Sequence, residues 1–126
     1  MLSASDFQIE LYEDSRGRSP VAIWLDEIRM QNPDLWAQTV AGVEKLRLRQ
    51  NHRSPLSTPL GSGLFELRTR SRSDISRVLF FFQRGRRIIL LHGFMKKTQK
   101  TPPGDLDVAR QRMRDYLERY GSADGD

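Results

Sequence analysis

The side chains in this chain best suited to chemistry are cations. Lys96, Lys97 and Lys100 follow directly on an apolar run, residues 88–94. Arg77 opens a second run, VLFFF, at residues 78–82. A charge beside so many apolar groups is costly unless something pairs with it. Only Glu66 and Asp74 are acidic within residues 64–100. Arg68 adds a further cation to the same segment, and Arg77 and the lysine pair at the end of the run could meet at one edge of a sheet. What such a cluster can do is hold an anion, or stabilise negative charge as it develops.

The charge balance points the same way. The chain has 126 residues and a formal net charge of +5. Residues 64–100 hold ten basic and two acidic side chains, whereas the rest holds 11 basic and 14 acidic ones. So local a positive field implies an anionic partner at one surface, with nucleic acid the leading candidate. There is no cysteine, which excludes disulfides and a thiol nucleophile. With two histidines, His52 and His92, no metal-ligand spacing emerges, so no metal and no cofactor is expected. His92 ends an apolar run and reads first as a hydrogen-bonded structural histidine, second as a general acid or base. No membrane-spanning run or signal peptide is present, and a cytoplasmic protein is expected.

The elements that would position these groups follow from periodicity. Residues 7–12 alternate as a strand. Ser19-Pro20 and Asn32-Pro33 each pair a cap with a proline at the first helical position. The first helix then buries Val21, Trp24, Leu25 and Ile28, and the second Trp36, Val40, Val43 and Leu46. Residues 50–63, rich in Pro, Ser and Gly, read as a loop. Strands are expected over 64–70, 75–83 and 87–94, antiparallel because their connections are short. The turn at Arg84-Gly85 is expected to be tight and the one at residues 71–74 looser. A final helix begins near Asp105 as its cap, with Leu106, Ala109, Met113, Tyr116 or Leu117, and Tyr120 on its apolar stripe. The order β-α-α-β-β-β-α predicts an α+β fold, with helices against a mostly antiparallel sheet and the 75–83 strand central. One domain over residues 1–120 with a frayed tail at 121–126 is expected.

Alternation places Arg68 and Arg70 on the strand face opposite Phe65, Leu67 and Thr69, with Arg77 near the start of the neighbouring strand. Arginines in turns, and Arg70 taken singly, are read most simply as solvated charges.

Four motifs sharpen this picture: ELR at 66–68, RVLF at 77–80, LLHGFMKKTQKTP at 90–102 and ARQR at 109–112. Together they resemble the RelE/HigB superfamily of toxin–antitoxin toxins, and within it the phage-derived HigB-like branch. The likeness spans about residues 7–118. It implies a RelE-like fold and a metal-independent endoribonuclease that cuts mRNA in the ribosomal A site and so inhibits translation. It also implies a helix-turn-helix antitoxin as partner. In that chemistry the substrate's own 2′-hydroxyl attacks the adjacent phosphate. The resemblance makes Arg77 a phosphate stabiliser and Lys96 and Lys97 proton-transfer or phosphate groups. Arg68, Arg70 and Lys100 become RNA contacts, and His92 a rival acid or base. Several superfamily members use a tyrosine after the last strand, and none occurs between Lys97 and Tyr116. A non-catalytic RNA- or DNA-binding module, or an inactive toxin relic, shares every charge argument. A structural phage protein is the third reading.

Overall fold

The computed structural model describes residues 6–96 and 100–121. Its elements are β1 (Gln8–Leu11), α1 (Pro20–Gln31), α2 (Pro33–Lys45), a short 3-10 turn at Arg49–Asn51, β2 (Ser57–Gly61), β3 (Leu64–Ser71), β4 (Asp74–Gln83), β5 (Arg87–Lys96) and α3 (Pro103–Tyr120). The described strands form one sheet in the order β1-β5-β4-β3-β2. β1 runs parallel to β5, and the other neighbours are antiparallel. The fold is α+β, mostly antiparallel and RelE-like, with β4 central as its two apolar faces require.

Both cap signals are used. The Ser19 hydroxyl accepts from the Ala22 N–H at 3.3 Å. Asn32 Oδ1 accepts from the Leu35 N–H at 3.1 Å, while its Nδ2 donates to Asp74 Oδ2 at 2.7 Å. One residue thus starts α2 and ties it to the beginning of β4. α1 and α2 cover one face of the sheet through Val21, Leu46, Leu67, Val78, Phe80, Ile88 and Leu90. α3 covers part of the other through Ala109 and Tyr116, against Leu64, Leu79, Phe81, Ile89 and Leu91. Gly93 lets α1 approach, since a Cβ there would lie 2.2 Å from the Trp24 ring.

Several expectations need correction. Residues 57–61 are a strand rather than loop, and Pro59 is tolerated because β2 lies at the sheet edge. α2 buries Leu35, Thr39 and Gly42, one position round from Trp36, Val40 and Val43, while Val43 still packs against the core and Leu46, just past the helix, is buried as expected. Trp36 instead lies half-buried beneath the Arg29 guanidinium. The turn between β3 and β4 is the tighter one: Ser71 pairs with Asp74, leaving only Arg72 and Ser73, and Arg72 takes a φ of 56°. Between β4 and β5 the loop has three residues, since Gln83 pairs with Arg87. α3 starts at Pro103 with Pro102 as cap, so Asp105 lies in its first turn and Tyr120 is exposed. β5 runs two residues past Phe94 and carries Lys96 on the sheet.

Candidate nucleic-acid interface

Arg77 pairs with Arg68 across β3 and β4, and Glu66 pairs with Leu79. Directly opposed residues share a sheet face, so Arg68, Glu66 and Arg77 project together and Glu66 is the diagonal neighbour of Arg77. Arg77 Nη1 donates to Glu66 Oε1, and the Thr101 hydroxyl donates to Glu66 Oε2. Both charged side chains are buried, at 3% and 4% exposure. Arg77 therefore does not project from an open sheet face, as alternation alone had suggested. It lies on the floor of a cavity, its charge offset by Glu66.

That cavity has a volume of about 360 Å³. Glu66, Arg68 and Arg77 come from β3 and β4, Lys100 and Thr101 from the segment after β5. Thr58 and Leu60 of β2 and Leu106 of α3 complete the wall. Arg68 and Lys100 are exposed, so two solvent-facing cations stand beside a buried ion pair. Three of the proposed contacts, Arg68, Arg77 and Lys100, meet here. Arg70 belongs to a second cavity, which Arg68 also lines. Lys96 is at the end of β5, its backbone paired with Ile75, which pairs in turn with Arg70. Lys97 lies outside the described residues.

His92 stands apart from the cavity lining. A β-bulge, in which Leu79 pairs with His92 and Phe80 with Leu90, directs it to α3. Its Nε2 lies 2.6 Å from Asp105 Oδ1, and its Nδ1 lies 3.4 Å from Arg112 Nη1. A guanidinium only donates, which leaves Nδ1 as acceptor and Nε2–H as donor to Asp105. Burial lowers the His92 pKa below its ordinary value, Asp105 opposes this, and Arg112 adds to it. A neutral ring bridging β5 and α3 is the result.

Sequence reasoning placed Glu66 only as a possible partner for Arg77, and missed Thr101, Thr58 and Leu60. The signal for Glu66 was its alternation with Arg68. Nothing marked β2 as a wall. Among the described residues no cluster of His, Asp or Glu could hold a metal ion, and no helix is long and apolar enough to cross a membrane.

Comparison with protein families matches residues 26–114 to the phage-derived protein Gp49-like family (DUF891). The chain belongs to the Gp49-like family. That match contains the second half of α1, the whole of α2 and of β2 to β5, and Glu66, Arg68, Arg77, Lys100 and Thr101. The Gp49-like family lies within the RelE/HigB-like toxin superfamily and is commonly the toxin of toxin–antitoxin systems, which implies an antitoxin partner. No curated protein matches the chain.

Proposed function

We propose that this Gp49-like protein is the toxin of a type II toxin–antitoxin system and acts as a metal-independent endoribonuclease on mRNA at the ribosome. The observation that carries the reading is the convergence of Arg68, Arg77 and Lys100 with one carboxylate, Glu66, in a single cavity. The substrate 2′-oxygen forms a bond to phosphorus as the bond to the 5′-oxygen breaks. The products are a 2′,3′-cyclic phosphate and a 5′-hydroxyl. Arg68 and Lys100 hold the phosphate and stabilise the charge that builds on it, an effect strongest where water is excluded.

Glu66 is the carboxylate of the lining. Each of its oxygens accepts one hydrogen bond and keeps capacity for a second, so it can take the 2′-hydroxyl proton. Arg77 then keeps Glu66 in place. Lys96 and Lys97 remain in the proposal as the phosphate and proton-transfer cations that supply the leaving 5′-oxygen with its proton. His92, committed to Asp105, is left out of the reaction. The antitoxin partner is proposed to be a helix-turn-helix protein, and the site of action the ribosomal A site in the cytoplasm.

One observation favours a second reading. The Arg77 charge is spent on Glu66, which suits a binding module that only holds RNA. Controlled expression of the wild type, Arg68→Ala and Lys100→Ala separates the two. A toxin arrests growth and leaves cut mRNA, and each variant is weakened. A binding module leaves mRNA intact while retaining salt-sensitive affinity for RNA.

A further inference from the structure

Arg68 lines two cavities, of which the reaction described above uses one. The second, about 410 Å³, is bounded by Arg68, Thr69 and Arg70 of β3, Lys45 at the end of α2, and Asn51, Pro55 and Leu56 of the loop before β2. It exists because β2 stops short. Ser57, the first residue of β2, pairs with Leu67, so beyond Leu67 the β3 edge has no strand beside it. The Arg68 N–H donates to the Leu56 carbonyl at 3.1 Å, which holds the loop as the outer wall.

The lining contributes three cations and no carboxylate. Lys45, Arg68 and Arg70 are all exposed. Among the described residues none of them has an acidic side chain at ion-pairing distance, whereas Arg18, Arg47, Arg72, Arg77, Arg87 and Arg119 each do. Arg68 and Arg70 are two positions apart, and so roughly 7 Å apart along the strand, close to one nucleotide step of an extended single strand. Leu56 and Pro55 offer an apolar surface between the charges. The volume falls in the range of pockets that take small organic groups, about 300–1,000 Å³.

We propose that this cavity is a second nucleotide subsite of single-stranded RNA, in which Lys45, Arg68 and Arg70 hold the phosphodiester next to the reacting one and Leu56 and Pro55 carry its base or ribose. The assignment rests on the nuclease reading for the place of the reacting phosphate. Arg68 stands between the two phosphates and fixes the register of the strand.

The test uses RNA that binds but cannot be cut. Fluorescently labelled 2′-O-methyl dinucleotides and tetranucleotides, extended on the 5′ or the 3′ side, are titrated by anisotropy against the full chain and against Lys45→Ala/Arg70→Ala. Both substitutions lie at exposed positions, and a melting curve checks the fold. In the wild type, extension on one side tightens binding by about tenfold, and the salt slope is steeper by about 0.7 for the one added phosphate held. In the double variant both increments vanish. No gain on extension in the wild type, or an equal gain in the variant, overturns the subsite. Tighter capture of an oligoglutamate peptide than of RNA of equal charge, lost in the variant, also overturns it and makes the cavity a protein-docking site. Since nothing is cleaved, the nuclease reading is judged separately. A protein that shows the length gain but cuts no mRNA sinks that reading alone, and one that cuts without the gain sinks the subsite alone.

Discussion

The Arg77 guanidinium on β4 is ion-paired with the Glu66 carboxylate on β3, both buried at the floor of a cavity that Arg68 and Lys100 border. A buried pair of this kind gains little over an apolar pair of the same volume, but breaking it strands a charge. Glu66→Ala and Arg77→Ala should therefore each lose about 3–5 kcal/mol of stability. Glu66→Leu/Arg77→Met should lose much less while abolishing activity. Urea melts of the three variants check this. Equal losses in single and double variants would show that the pair is not what holds this floor together.

Gly93 pairs with Val78 in the sheet and lies under the Trp24 ring. A methyl there cannot fit without moving the indole, and overpacking of this sort costs about 1–3 kcal/mol. Gly93→Ala should lower the melting temperature, and Trp24→Leu in the same chain should restore part of it. A Gly93→Ala protein as stable as the wild type would mean that α1 can shift freely on β5.

His92 is held below its ordinary pKa of 6.5, mainly by burial. The folded state thus favours the neutral ring. Its contribution to stability is complete above pH 6.5 and is lost as pH falls from there towards the lower folded value. Stability measured between pH 7 and 5 should fall more steeply in the wild type than in His92→Gln. Identical pH profiles would contradict the neutral bridge to Asp105.

Tyr116 answers at the other end of the scale. Burial and its hydrogen bond to Glu10, at 2.9 Å, push its pKa up to about 12, with Arg87 opposing. The folded state favours the protonated phenol. That stabilisation is complete below pH 10 and is lost as pH rises towards 12. Alkaline difference spectra should show a late-ionising tyrosine that Tyr116→Phe removes, beside Tyr12, whose pKa burial and its hydrogen bond to Asp115 also raise. Three tyrosines ionising together near 10 would contradict it.

Much of the fold was legible because its signals are local. Ser19-Pro20 and Asn32-Pro33 mark helix starts whatever surrounds them, and the doubly apolar β4 must be central. β2 was hidden because Pro59 and Gly61 argue against a strand, and only an edge position makes them acceptable. α3 starts two residues before Asp105 because the acid bonds to His92, a partner distant in sequence. The candidate site was half legible. Alternation put Arg68 and Glu66 on one face, and the cost of a buried charge demanded a partner for Arg77. That the partner would consume the charge, and that Thr101 would hold its other oxygen, depends on cross-strand register and on the path after β5. Neither leaves a mark in local pattern.

Internal attack by the substrate 2′-oxygen, the chemistry proposed for this cavity, leaves a signature on the RNA ends that metal-activated water does not. Purified protein, intact ribosomes in magnesium buffer and a defined mRNA, followed by mapping of the RNA ends, read that signature. The expected result is cut mRNA with 2′,3′-cyclic phosphate and 5′-hydroxyl ends, sharply reduced by Arg68→Ala. Intact mRNA, or fragments with 5′-phosphate and 3′-hydroxyl ends, would overturn the proposal.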